Sequence, residues 1–162
     1  MEITVKPKWI LSNDWLFSAS GHEIGRIVLP WSYYFINYGR ASLKFENSLF
    51  DITFPRRSVD YLGSKECHIK LIQNNEDIAF LKPLYDFSTE ETQTSWGNRK
   101  LNCKLIEIGK WHVKDGGEKV GEISCSLTSR LRKLSFHEDI PFHIQSLIFW
   151  GTVQVKLTRI NI

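Results

Sequence analysis

Two stretches of equal length, WLFSASGHEIGRI at Trp15–Ile27 and WHVKDGGEKVGEI at Trp111–Ile123, align without a gap. Both have tryptophan first, an apolar residue third, glycine seventh and an apolar-Gly-x-Ile run at the end. Each stretch predicts two strands in which apolar and polar residues alternate, joined by a turn at Ser20-Gly21-His22 in the first and at Asp115-Gly116-Gly117 in the second. A repeated hairpin of this kind predicts an antiparallel β protein.

A weaker third copy lies between these two. Its matching positions are Ile69, Leu71, Asn75, Ile78, Ala79 and Leu81. Asn75 replaces the turn glycine and Ala79 replaces the second glycine, and both substitutions suit the hairpin, because Asn tolerates positive φ and Ala is the next smallest residue. The third copy therefore predicts a further hairpin with its turn at Gln73-Asn74-Asn75.

Alternating apolar residues predict more strands between the copies, at Ala41–Phe45, Leu49–Phe54 and Leu101–Ile108. These strands favour a meander. The segment Tyr85–Lys100 is polar, with an acidic centre, and is expected to form the longest loop, with Trp96-Gly97 turning the chain back into the sheet.

The C-terminal segment has a different period. From Asp139, an expected helix cap, apolar residues recur at three- and four-residue steps and also cover the other faces, over about eighteen residues from Ile140 to Leu157. A helix that is apolar nearly all round must be buried nearly all round. The alternative is that Thr152–Thr158, which alternates strictly, forms a closing strand. Polar residues within the segment argue against a membrane span.

Hairpins with a turn glycine and an apolar-Gly-x-Ile run, followed by a hydrophobic C-terminal helix, resemble the tubby C-terminal-like superfamily, which includes the LURP-one-related proteins and phospholipid scramblases. The resembling residues are Gly21, Ile24, Gly25, Ile27, Gly117, Val120, Gly121, Ile123 and the helix from Ile140 onward. The resemblance implies an antiparallel β barrel, or a strongly curved sheet, wrapped around the helix. It implies no single function, because members of the superfamily differ in role.

Composition sets the broad class. The 162 residues, 42% of them apolar, suffice for a hydrophobic core and are expected to form a single domain over residues 1–162. The net charge of +3 is spread along the chain, and no nucleic-acid recognition motif is found, so nucleic acid is not an expected partner. The N-terminal residues lack a signal-peptide core, which predicts a cytoplasmic location.

The sequence contains no pattern that favours catalysis or a cofactor. The cysteines Cys67, Cys103 and Cys125 lack C-x-x-C spacing and are expected to be reduced and structural. The five histidines have generic spacing, so no metal site is expected. The cluster His137, Glu138 and Asp139 is the candidate to mutate if the protein is an enzyme, but a non-enzymatic role is predicted.

Two surfaces are candidates for binding. The basic residues Arg130, Arg132 and Lys133 stand close together, and on a strand Arg130 and Arg132 would point outwards together while Leu131 anchors the core. This pair could clamp an anionic lipid head group, with added charge from Arg56 and Arg57, although basic residues on an outer face also keep an edge strand from pairing.

The second surface is aromatic. Trp31, Tyr33 and Phe35 share one face of a predicted strand within Pro30–Tyr38 and are expected either to be buried or to form a partner surface. The sequence thus predicts a binding or interaction module for anionic lipid or a protein partner. The alternative is a carrier of a small apolar ligand, with an open, lipocalin-like barrel.

Overall fold

A computed structural model describes residues 1–8, 14–29, 39–54, 69–85 and 88–159. This part of the chain contains strands and one long helix. The strands are β1 (Glu2–Pro7), β2 (Trp15–Ala19), β3 (His22–Val28), β4 (Gly39–Phe45), β5 (Ser48–Phe54), β6 (Ile69–Gln73), β7 (Glu76–Tyr85), β8 (Ser88–Trp96), β9 (Arg99–Glu107), β10 (Lys110–Asp115), β11 (Glu118–Cys125) and β12 (Arg132–Phe136), and the helix is α1 (Phe142–Arg159).

The strands form a closed antiparallel barrel, which confirms the predicted fold class. Each strand pairs with its neighbours in sequence, and the barrel closes where β1 pairs with β12, with Ile3 opposite Leu134 and Val5 opposite Arg132. Closure leaves no strand of this sheet with an unpaired edge. The predicted strands at Ala41–Phe45, Leu49–Phe54 and Leu101–Ile108 correspond to β4, β5 and β9.

The three repeat copies are hairpins of the same construction. Both central turn residues have positive φ in each: Ser20 and Gly21 (50° and 79°), Asn74 and Asn75 (52° and 64°), and Gly116 and Gly117 (57° and 96°). Positive φ at both positions is the requirement of a type I′ turn. In every copy the pairing register of the two strands shifts at the same repeat position, directly after Phe17, Leu71 or Val113, which marks a β-bulge. The extra residues on the partner strands are Ile24, Ile78 and Val120, the apolar member of the apolar-Gly motif.

The small residue after each bulge lies opposite an aromatic residue on the next strand. Gly25 pairs with Phe45, Ala79 with Trp96 and Gly121 with Phe136. A Cβ atom built on Gly121 would lie 2.5 Å from the Phe136 ring. The motif glycine is therefore needed for space, since the ring covers the backbone there.

The repeat extends beyond the hairpin to four strands. Strands β2 to β5 form the first unit, and β6 to β9 form the second. The third unit consists of β10 to β12, and β1 supplies its fourth strand. The aromatic residues of the three units are Phe45, Trp96 and Phe136. Four residues before each of them, the interior position is occupied by Ala41, Thr92 and Arg132, respectively. The barrel is thus three copies of one unit, and the third copy has a charged residue where the others have small ones.

Helix α1 lies inside the barrel, so the predicted helix is confirmed and the alternative closing strand at Thr152–Thr158 is wrong. Its side chains contact strands on several sides: the Phe142 ring packs 5.2 Å from Phe17 and 4.4 Å from Phe45, and the Phe149 ring packs 5.4 Å from Trp15. The fully buried helix residues are Ile144, Ser146, Leu147, Ile148, Phe149 and Trp150. An apolar surface on all faces is stable here because the barrel surrounds it.

The start of the helix differs from the expectation. The carbonyl of Pro141 accepts the first helical hydrogen bonds, from the amides of Ile144 and Gln145, so the helix begins two residues after the expected point. The carboxylate of Asp139 instead accepts a hydrogen bond of 2.8 Å from Arg99.

The expected long loop at Tyr85–Lys100 is wrong. Most of this segment is β8, which pairs with β7 and β9, and only the turn at Gly97, with φ of 56°, is as predicted. Its interior residues are Thr92 and Thr94, both buried. Threonine has a high strand propensity, and its alternation with polar residues hides the strand from a search for alternating hydrophobicity.

Candidate functional site

One end of the barrel carries exposed apolar side chains on two adjacent connections and at the end of β9. We call the four residues Ile106, Ile108, Leu127 and Leu131 the apolar tip. Ile108 lies in the turn between β9 and β10 with 85% of its surface exposed, and Leu127 lies in the connection between β11 and β12 with 80% exposed. Exposed apolar side chains that lie together on a surface often mark binding sites.

Backbone hydrogen bonds hold the two connections together. The amide of Cys125 donates to the carbonyl of Gly109 at 2.7 Å, next to Ile108. The amide of Ser126 donates to the carbonyl of Leu131 at 3.1 Å, which closes the second connection into a compact turn. Serine hydroxyls within it accept from the amides of Thr128 and Leu131. The apolar tip is therefore supported by two turns at the barrel rim that hydrogen bonds hold in place.

The predicted basic pair does not share a face. Arg130 is exposed and lies in the connection before β12, whereas Arg132 is the first residue of β12 and is buried inside the barrel. Leu131, which was expected to anchor the core, is partly exposed. The expectation was wrong because strand alternation begins only at Arg132, in phase with the interior residues Leu134 and Phe136.

The charges around the tip are partly paired. Lys133 faces outwards and lies 3.3 Å from Glu2 of β1. Nζ of Lys110 lies 3.9 Å from Oε1 of Glu107 and 3.7 Å from Oε1 of Glu122. Hydrogen bonding to Lys119 is the main reason that the pKa of Glu122 is lowered. Arg130 adds a positive charge to the connection that carries Leu127 and Leu131.

The Arg132 guanidinium lies behind the tip, inside the barrel. Its Nη1 donates to the hydroxyl of Thr152 on α1 at 3.2 Å. Three aromatic rings surround it, with centroids 5.8 Å away for Trp15, 5.7 Å for Trp111 and 5.6 Å for Phe149. Burial lowers the pKa of the guanidinium. Arginine nevertheless stays charged near neutral pH, because its ordinary pKa is about 12 or higher.

Two grooves lie over the repeat glycines. One of about 750 Å³ is lined by Gly25, Phe45 and Phe142 together with the charged residues Glu23, Arg26, Lys44 and Glu46. A second of about 280 Å³ lies at the equivalent position, over Gly121 and Phe136. In the larger groove two acids balance two bases, and Glu23 and Arg26 form an ion pair of 2.6 Å. The charges of these four side chains therefore cancel.

The remaining titratable residues are dispersed. In the described ranges, no group of three or more His, Cys, Asp or Glu residues could hold a metal ion. His137, Glu138 and Asp139 are exposed, and Asp139 pairs with Arg99, which also bonds Asp115 at 2.7 Å. Burial raises the pKa of the Cys103 thiol to about 12 and lowers that of His143, whose ring stacks on Phe50.

Several predicted site residues lie outside the described residues. These are Arg56, Arg57, Cys67, Trp31, Tyr33 and Phe35. Their roles stay predictions.

The apolar tip was not predicted from the sequence. Ile108 is the last residue of the predicted strand Leu101–Ile108, and no prediction concerned Leu127. The available signal was the Ile-Gly pair at Ile108-Gly109 and the Ser-Leu-Thr-Ser run at Ser126–Ser129, which are turn sequences that contain large aliphatic residues.

No protein-family model, curated protein or solved structure matches the chain. In the part of the chain that the structure describes, no helix, α1 included, is both long enough and apolar enough to cross a bilayer.

Proposed function

We propose that this domain is a non-enzymatic binding module that docks on anionic lipid surfaces through the apolar tip. The observation that supports this proposal is the exposure of Ile108, at 85%, and of Leu127, at 80%. Both lie on turns held by hydrogen bonds, and Arg130 lies on the same connection as Leu127. Aliphatic side chains on separate turns can enter the interfacial region of a bilayer, and a neighbouring basic residue is attracted to anionic head groups.

A protein partner is the other ligand class that an exposed apolar surface suits. The lipid is favoured because the apolar side chains project from loop ends and a basic residue accompanies them. A carrier of small apolar ligands is less favoured, because Leu147, Phe149 and Trp150 of α1 occupy the barrel interior. Membership of the tubby C-terminal-like superfamily stays a proposal, supported by the central helix and by the repeated Gly-containing hairpins.

The test is co-sedimentation with vesicles of phosphatidylcholine alone or with added phosphatidylserine and phosphoinositide, at low and physiological salt. We expect wild type to bind the anionic vesicles, and Ile108→Ser/Leu127→Ser to reduce the partition coefficient by about 10-fold or more, since each side chain contributes about 1.5 kcal/mol or more when buried. Arg130→Ala should weaken binding about 5-fold at low salt and less at high salt, because one basic residue contributes about 1 kcal/mol.

The matched control is Leu49→Ser. Leu49 is also exposed, at 56%, but it follows the β4–β5 turn at the opposite end of the barrel. This variant should bind as wild type does. If wild type fails to bind, or if the tip variant binds equally well, the lipid function is wrong and a protein partner becomes the better interpretation of the tip.

A further inference from the structure

Arg132 is an exception to the repeat. The equivalent interior positions in the other two units are Ala41 and Thr92, both buried and uncharged. Arg132 is only 6% exposed, and it extends a cation into the space between the strands and α1. The unit folds with a small residue at this position, so the charge is not a requirement of the repeat.

The buried guanidinium is incompletely paired. Across the residues that the structure describes, no carboxylate forms an ion pair with it, and its Nε has no hydrogen-bond partner. Its bond to Thr152 goes to a neutral hydroxyl, which itself donates to the carbonyl of Phe149 at 2.7 Å. Burial of a charge without a counterion is unfavourable by several kcal/mol, and cation–π contacts offset only part of that.

We propose that Arg132 is the anchor of a binding site for an oxyanion, a phosphate or carboxylate group that enters at the rim between the tip and the end of α1. This site is distinct from the proposed membrane-docking tip, because its ligand is held inside the barrel by the guanidinium.

The geometry suits an oxyanion in two respects. Nη1 already donates to Thr152, so the unpaired Nε remains as a donor for an oxygen atom of a carboxylate or phosphate, the groups that arginine pairs with most strongly. The rings of Trp15, Trp111 and Phe149 exclude water around it, which strengthens a charge-assisted hydrogen bond.

Arg132 also lies where a ligand can approach. It is the first residue of β12, directly after the connection of the apolar tip, and its cross-strand neighbour Cys125 is only half-buried at the end of β11. We place the path of the ligand at this rim, beside the connection at Ser126–Leu131. Head-group phosphate and free phosphate are both compatible with this path.

The experiment is thermal unfolding and tryptophan fluorescence of the full chain at constant ionic strength, with chloride replaced by inorganic phosphate, octanoate or short-chain phosphatidic acid below its micelle concentration. We expect at least one of these anions to raise Tm by about 5 °C or more at about 100 times its Kd. The same anion should change the emission of Trp15 and Trp111, which flank the guanidinium. A response to inorganic phosphate indicates a free anion, whereas a response to phosphatidic acid alone indicates a lipid head group.

Three variants test the assignment. Arg132→Met keeps the side-chain volume without the charge and should abolish the anion response while Tm in chloride stays equal or rises, because apolar replacements of buried charges are often neutral or stabilising. Arg132→Lys keeps the charge without the planar fork and should weaken the response at least 10-fold. Lys133→Met, on the outer face, should respond as wild type does.

Two results would overturn the site. One is a wild-type protein whose Tm and fluorescence are the same in every anion as in chloride. The other is equal anion responses in wild type and in Arg132→Lys, together with an Arg132→Met variant that is strongly destabilised in chloride, which would make Arg132 a structural bond to α1. The vesicle assay with the tip variants is independent of both results.

Discussion

A methyl group added to Gly121 would fall 2.5 Å from Cδ1 of Phe136, and one added to Gly25 would fall 2.8 Å from the backbone oxygen of Lys44. We therefore expect Gly121→Ala to lower the free energy of unfolding by about 1–3 kcal/mol, the usual effect of overpacking. Phe136→Leu should relieve part of this loss, because the ring is the obstacle. Urea denaturation of the two single variants and the double variant gives the coupling energy.

The control for this cycle is Gly21→Ala. Gly21 has φ of 79° and no atom within 4 Å of an added Cβ, so its substitution strains the backbone without touching Phe136. We expect about 1 kcal/mol of destabilisation and no coupling to Phe136→Leu. A coupling for Gly121 no larger than that for Gly21 would contradict the packing explanation.

The glycines and Arg132 differ in how far the sequence determines their positions. Gly25 and Gly121 could be predicted as repeat positions because the turn and the apolar-Gly-x-Ile run recur in one register. The bulge before each glycine and the aromatic ring opposite it were found only in the structure. Arg132 was expected on the outside because Leu131 was expected to anchor the core, and only the pairing of Arg132 with Val5 and Cys125 fixes which phase of the alternation is interior.

At the scale of elements, α1 acts as the core of the barrel. We expect removal of residues 139–162 to abolish the cooperative thermal transition, because the interior side chains that pack on α1 would become exposed. Phe149→Ala, at a fully buried position against Trp15 and Phe17, should be folded but less stable by about 3–5 kcal/mol. Circular dichroism melting and binding of a hydrophobic dye measure both effects.

Glu138→Ala is the control for these two variants, since Glu138 is exposed just before the truncation point. It should change stability by no more than about 0.5 kcal/mol. A truncated protein that melts as wild type does would show that α1 is not the core.

The apolar pattern explains why α1 was predicted and β8 was not. Helix α1 has apolar residues on every face and was found, with a small error at its start because Pro141 provides the first acceptor. Strand β8 was missed because Thr92 and Thr94 fill its interior positions. The tip required knowledge of exposure, which follows from the register of β9 to β12 and not from local composition.

At the scale of the molecule, the threefold unit explains why β1 must pair with β12. The third unit ends at β12, so its fourth strand is supplied by β1, and the side chains of Ile3 and Val5 complete the interior beside Leu134 and Arg132. Closure thus depends on contacts between residues more than a hundred positions apart, which makes this pairing entropically costly to form.

Deletion of residues 1–7 should therefore open the barrel between β2 and β12. The two strands would then present unpaired backbone groups, so we expect a lower Tm and association into oligomers, measured by size-exclusion chromatography. A synthetic peptide of residues 1–8 added in trans should restore the monomer and the wild-type Tm by pairing in the empty place. The same peptide with Ile3→Lys and Val5→Lys should fail, because these side chains are buried in the closed barrel. If the deleted protein stays monomeric with an unchanged Tm, β1 is dispensable and the third unit is stable with three strands.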